Sequence, residues 1–366
     1  MIRAPLIAIA LSIAAPVAAQ LPPPVPEIAA NASKGDPYPA YSVTFPAGVK
    51  GIPDVVYTTL SGYGPLTLDL YLPPDSVSRP AAGFPLVIYI HGGAWLAGNS
   101  RRAVPFVDFP GVLASLSARG YVVASVNYRL SGAAKFPAQI QDVKSAILWI
   151  NVNAKKYGID PARSVTWGVS AGGYLALLAA ITCGKTAFEP QQPNASVVPD
   201  AGSDLVGASR AAACVQGAVS WYGVFDMSTI AAQAAQDKAM SREDRSAPEW
   251  QLIGCFGNRE CTREQLAAAS PVTYVAPGDP PTLLIVGSAD TLVPYQQTLE
   301  MADRLKAAGT ERQLIVLPGL NHSLIGKTLE QTRDANLKAL AATFEFIDRT
   351  IGNPQLEHQG RGRPPE

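Results

Sequence analysis

Leu86-Val87-Ile88-Tyr89-Ile90 and Val122-Val123-Ala124-Ser125-Val126 are apolar almost without a break. A strand with one face in water alternates apolar and polar residues, so continuous runs like these predict strands buried on both faces, as in a parallel sheet covered by helices. The chain repeats this theme from Val55 onward. Val55–Leu60 and Leu66–Leu72 read as an opening antiparallel pair joined across Gly62 and Gly64. A helical stretch, about Val107–Arg119, separates the two apolar runs. Between Pro137 and Tyr157, residues Ile140, Val143, Ala146, Ile147 and Ile150 recur at helical spacing, which predicts an amphipathic helix. Further strands are expected at Ser164–Trp167, Val215–Trp221, Thr282–Gly287 and Gln313–Leu317, with helices at Gln296–Ala308 and Leu337–Ile351. The expected fold class is α/β: a mostly parallel sheet of about eight strands with helices on both faces. Two stretches break the alternation, Thr186–Arg210 and Ser228–Ala269. They are expected to be lid-like insertions or substrate walls.

A chain of 366 residues, 48% hydrophobic and 16% charged, has ample material for a core. Its net charge is zero and it has no basic run beyond isolated pairs and the short Arg361-Gly362-Arg363, so neither nucleic acid nor an anionic membrane surface is an expected partner. Residues 1–19 read as a signal peptide: Arg3, the apolar Leu6–Ala15, then Val17-Ala18-Ala19 before Gln20. The apolar part is too short to span a bilayer, so no membrane anchor is expected and the protein is expected to be periplasmic or secreted. Residues 20–50, opening with Leu21-Pro22-Pro23-Pro24-Val25-Pro26, read as a proline-rich linker and N-terminal extension. A single catalytic domain is expected over 51–352, and 353–366 is expected to be a disordered tail. Four cysteines fit an oxidising compartment. Of the three possible pairings, Cys183 with Cys214 and Cys255 with Cys261 is favoured, because the first two flank neighbouring elements and the second two close a short loop. With no C-x-x-C and only three histidines, no metal site is expected.

The segment Gly168-Val169-Ser170-Ala171-Gly172-Gly173 stands between a strand-like run and the helix-like Tyr174–Ala180. A G-x-S-x-G turn of this kind strains the serine backbone and lifts its hydroxyl above the sheet. A serine hydroxyl needs an imidazole to take its proton and a carboxylate to orient that imidazole. Of the three histidines, His322 follows the last expected strand, His91 lies in another motif and His358 lies in the tail, so His322 is the expected base. Asp290 ends the Leu283–Val286 strand between serine and histidine in sequence and is the expected acid. Asp226 is a distant second choice, and Asp279 reads as a turn residue. The oxyanion donors are expected to be the backbone N–H groups of Gly93 and Ala94, in His91-Gly92-Gly93-Ala94-Trp95, with that of Ala171. His91 is expected to brace this loop. Trp95 could wall the pocket or belong to the core.

These motifs resemble the α/β-hydrolase esterases, and more narrowly the bacterial feruloyl and acetyl-xylan esterases (BD-FAE-like) related to the hormone-sensitive-lipase branch. The resemblance also rests on Asn127-Tyr128-Arg129-Leu130, Asp142, Tyr157-Gly158-Ile159-Asp160-Pro161, Trp221-Tyr222-Gly223 and Ser270-Pro271-Val272. It implies hydrolysis of aryl, hydroxycinnamoyl or acetyl esters, small or polysaccharide-linked, through an acyl-enzyme on Ser170. It also implies that no cofactor is needed and that Tyr128, Arg129 and Asp142 are buried scaffold. Ala94 stands where the lipase relatives usually have a third glycine, and Val169 where they have an acidic residue; the latter points away from that branch proper. Two other readings share the fold: a serine peptidase of the prolyl-oligopeptidase type, and a non-catalytic binding module. A missing propeller counts against the first and an intact Ser-Asp-His set against the second.

Overall fold

The computed structural model describes residues 41–60, 62–190, 213–242, 246–257 and 259–352. The expected signal peptide, the proline-rich run, the tail and most of the first insertion lie outside the described residues. Nine strands form one sheet: β1 (Val43–Thr44), β2 (Lys50–Thr58), β3 (Leu66–Leu72), β4 (Phe84–Ile90), β5 (Val122–Val126), β6 (Ile159–Val169), β7 (Gly217–Trp221), β8 (Thr282–Gly287) and β9 (Arg312–Leu317). Their spatial order is β1-β2-β3-β5-β4-β6-β7-β8-β9. The pairs from β1 to β5 are antiparallel and those from β5 through β9 are parallel. The count exceeds the expected eight because the two-residue β1 carries no periodic signal.

The continuous apolar runs are explained by the two cores. Successive strand residues point to opposite faces. Leu86, Ile88 and Ile90 therefore join Ile140, Val143, Ile147, Leu175 and Leu178 on one face. Val87 and Tyr89 join Phe109, Leu113, Trp167, Phe346 and Ile347 on the other. The helices Ala138–Val152 and Ala171–Ile181 cover the first face, and Phe109–Ser117 and Leu329–Ile351 the second. Tyr89, Phe109, Trp167 and Trp221 form a chain of ring contacts 4.5 to 6.0 Å between centroids, so an aromatic seam runs through the second core. Such pairs add stabilisation of about 1 kcal/mol each beyond the area they bury.

Among the described residues, none of the second insertion lines the cleft described below. Its helices Ile230–Asp237, Pro248–Ile253 and Arg263–Ala268 bring Ile230, Leu252 and Leu266 to the first core. Among the described residues, Cys183 pairs with Cys214 and Cys255 with Cys261, each with Cα atoms 5.1 Å apart. None of the described helices is long and apolar enough to cross a membrane.

Candidate active site

β6 ends at Val169, the helix Ala171–Ile181 begins one residue later, and Ser170 must make the whole reversal. Its φ of +53° lies in the left-handed region that costs a non-glycine residue energy. The neighbours hold it there. Ser170 N–H donates to Trp221 O at 2.8 Å, and a Cβ on Gly172 would collide with the carbonyl groups of Ile90 and His91. Only glycine lets the helix approach β4 this closely.

The loops after β8 and β9 bring two more side chains to Ser170. His322 Nδ1–H donates to Asp290 Oδ2 at 2.7 Å, which leaves Nε2 to accept from Ser170 Oγ–H at 3.0 Å. Asp290 is buried, and its other oxygen accepts from Leu292 N–H at 2.9 Å and Val293 N–H at 2.8 Å. The carboxylate is thereby aimed at the imidazole. Tyr222 packs edge-on to the His322 ring, with centroids 4.7 Å apart. Asp226 takes no part. Its carboxylate accepts from Ser228 N–H at 2.7 Å, and its backbone N–H donates to Gln297 Oε1. Asp279 accepts from Ala276 N–H at 2.7 Å as a turn residue.

Gly93, Ala94 and Trp95 have φ of 108°, 58° and 57°, so the segment after β4 is a tight left-handed loop. Among the described residues, the N–H groups of Gly93, Ala94 and Ala171 donate to no acceptor in the chain. His91 braces the loop. Burial pushes its pKa down to about 4, against a weaker opposing effect of its bond to Gly92 O. The neutral ring therefore donates Nδ1–H to that carbonyl at 2.7 Å and stacks on Tyr128 at 4.3 Å. Trp95 is core: it is 1% exposed and its ring meets Tyr174 edge-on. Arg129 and Asp142 form a buried bidentate pair with bonds of 2.7 and 2.8 Å, away from the serine.

Two positioning groups escaped sequence reasoning. Asn321 Oδ1 accepts from His322 N–H at 2.7 Å, Thr291 N–H at 2.8 Å and Thr291 Oγ–H at 2.9 Å, and so ties the His322 loop to the Asp290 loop. Arg242, in the second insertion, donates Nη2–H to Leu292 O at 2.7 Å and pairs with Glu249 at 3.0 Å, both side chains being almost wholly buried. Met240 N–H adds a bond to Thr291 O at 2.7 Å. No local pattern announces either group, since each acts on residues tens of positions away. The serine opens into a cleft of about 690 Å³ lined by Gly93, Arg102, Val104, Tyr222, Leu292 and Ile325, among others.

A sheet in this order, with a serine turn after β6, a carboxylate loop after β8 and a histidine loop after β9, defines an α/β-hydrolase. Within that class the chain belongs to the BD-FAE family, whose model matches residues 68–305. It is 31% identical over 263 residues to the esterase LipC of Mycobacterium tuberculosis, an alignment covering 70% of this chain and 56% of that protein. The chain spans about half the length of the first curated relatives it matches. A truncated carbohydrate esterase from gut microbiota superposes with a TM-score of 0.64 at 26% identity, covering 86% of this chain and 99% of that one. A bifunctional GH43-CE protein of Bacteroides eggerthii gives 0.65 at 30% identity, covering 82% and 38%.

Proposed function

We propose that this protein hydrolyses carboxylic esters by acyl transfer through Ser170. The observation that carries the reading is the continuous path from Ser170 Oγ through His322 to the buried Asp290, with bonds of 3.0 and 2.7 Å. Ser170 Oγ attacks the ester carbonyl carbon while its proton passes to His322 Nε2, and Asp290 stabilises the resulting imidazolium. The negative charge on the carbonyl oxygen meets the unused N–H groups of Gly93, Ala94 and Ala171. The C–O bond to the alcohol then breaks and the alcohol leaves with the His322 proton. Water, deprotonated by the same imidazole, releases the acid and restores Ser170.

Acetyl, hydroxycinnamoyl or other aryl esters, free or attached to carbohydrate, are the proposed substrates. The carbohydrate esterase among similar structures supports this, as does a cleft bordered by the exposed apolar side chains of Val104, Leu292 and Ile325. Export to the periplasm or beyond is proposed from the signal-like residues 1–19 together with the two disulfides. The test compares acetate release from p-nitrophenyl acetate by the full chain and by Ser170→Ala. Loss of turnover with an unchanged melting temperature is expected; equal rates would refute the reading.

A further inference from the structure

A second cavity, of about 280 Å³, lies on the β1–β3 edge of the sheet and contains none of the groups discussed so far. Its aromatic walls come from Tyr41, whose side chain is 73% exposed, and Phe45, whose ring meets Tyr71 at 5.4 Å. Tyr71 also lines the cavity. The residue is 3% exposed overall, and its hydroxyl makes no hydrogen bond among the described residues and is not closed off from the cavity, so it is free to bond a ligand there.

The polar side of the cavity is built with backbone strain. The β2–β3 register shifts between Ile52 and Val55, and at this bulge Asp54 adopts φ +55°. Bulges re-aim side chains, and a left-handed aspartate persists only where its surroundings hold it. Here Asp54 N–H donates to the buried Asp69 at 2.8 Å, and the Asp54 carboxylate meets Arg101 at 2.8 Å. Arg101 is itself clamped on Asp69 through Nε at 2.8 Å and Nη2 at 2.9 Å. Both Asp54 and Arg101 keep part of their side chains in solvent, so the rim offers an acceptor and a donor in fixed positions. Two carboxylates against one guanidinium disfavour an anionic ligand. Aromatic faces beside paired donors and acceptors suit a neutral polyhydroxylated ring, whose C–H face packs on the aromatics while its hydroxyls bond the rim.

The cavity is coupled to the catalytic cleft through one segment. Arg101 lines the second cavity and its neighbour Arg102 lines the cleft that holds Ser170. Ser100, just before them, is fixed by Asp69, Asn127 and Ser125. We propose that this cavity is a distal subsite that binds a neutral glycosyl unit of a carbohydrate chain whose esterified unit sits at Ser170. This rests on the esterase reading above and names the part of the substrate that reading leaves open.

The experiment measures kcat and KM of the full chain, Tyr41→Ala and Tyr71→Phe on an acetylated xylo-oligosaccharide and on p-nitrophenyl acetate. Calorimetry of unacetylated xylopentaose with Ser170→Ala supplies a binding readout independent of turnover. Tyr41→Ala is expected to raise KM about fivefold on the oligosaccharide, as loss of one aromatic platform should. Tyr71→Phe, which removes only the hydroxyl, is expected to raise it about threefold, the loss of one hydrogen bond. Neither variant should alter aryl acetate kinetics, and both should weaken xylopentaose binding in the Ser170→Ala background. Unchanged oligosaccharide KM, equal effects on both substrates, or no xylopentaose binding would each overturn the subsite. Absence of turnover on either ester by the full chain would instead overturn the esterase reading, while calorimetry would still decide the subsite.

Discussion

The two sides of the proposed triad are held by different physics. On the nucleophile side, backbone packs on backbone: a Cβ at Gly172 has no room beside the Ile90 carbonyl, and Ser170 is pinned to Trp221. On the acid and base side, separate loops are joined by side chains that reach across long stretches of sequence, Asn321 between the loops and Arg242 from the insertion. Steric exclusion leaves the serine one position. Hydrogen bonds worth about 1 kcal/mol each hold the other two residues, so that side can be loosened by degrees.

The largest effect tests whether the nucleophile side alone supplies chemistry. Ser170→Ala should lower kcat about 10⁶-fold, read by p-nitrophenol release. Next, Asp290→Asn should cost about 10⁴-fold in kcat through loss of the imidazolium partner. Asp226→Asn should change it less than about threefold, because its carboxylate bonds Ser228 and not His322. If the two aspartate variants exchanged behaviour, the acid would be misassigned.

His91 sharpens the contrast from the nucleophile side, where a neutral buried ring supports the oxyanion loop. Its folded-state pKa is lowered from 6.5 to about 4, so between those values the unfolded chain takes up a proton that the folded chain refuses. Stability should therefore be full above pH 6.5, fall by about 3 kcal/mol as pH drops towards 4, and gain no further slope from this residue below that. Urea unfolding across this range should show the slope reduced in His91→Gln. The same slope in the variant would assign the acid sensitivity elsewhere.

The smallest effect probes the Arg242 clamp. Removing Arg242 alone leaves Glu249 buried without a partner, a loss of about 3 to 5 kcal/mol that would confuse folding with catalysis. The double replacement Arg242→Met with Glu249→Leu keeps the volume apolar and should fold. Having lost the bond to Leu292 O, it should show kcat reduced about tenfold with KM unchanged, the cost of about one charged hydrogen bond. Normal kcat would mean that the acid loop stands without the insertion.

Much of the framework was legible because its signals are local. The apolar runs at 86–90 and 122–126 became β4 and β5 with their faces divided between two cores. The long final helix shows both the strength and the gap of such reading. It begins at Leu329, eight residues before the expected Leu337, although Thr328 and Gln331 form a readable N-cap signal, Thr328 accepting from the Gln331 N–H at 3.1 Å. β6 begins at Ile159, where Asp160-Pro161 reads as a turn and hides the strand. The insertion Ser228–Ala269 was legible only as a break in periodicity. That it buttresses the Asp290 loop depends on Arg242 meeting Leu292 across 50 positions, which no short pattern encodes.

By itself the sequence determined the α/β alternation, the serine turn, and the scarcity of histidines that singled out His322 as the proposed base, because hydrophobic period, turn chemistry and residue counts act over a few neighbours. The sequence favoured Asp290 over Asp226, and tertiary structure placed it against the imidazole; tertiary structure alone decided that His91 is buried and neutral, and that Tyr71 and a strained Asp54 share a second cavity beside Arg101. Those outcomes depend on distances and burial between segments far apart in the chain, which exist only once the sheet has brought its strand ends together.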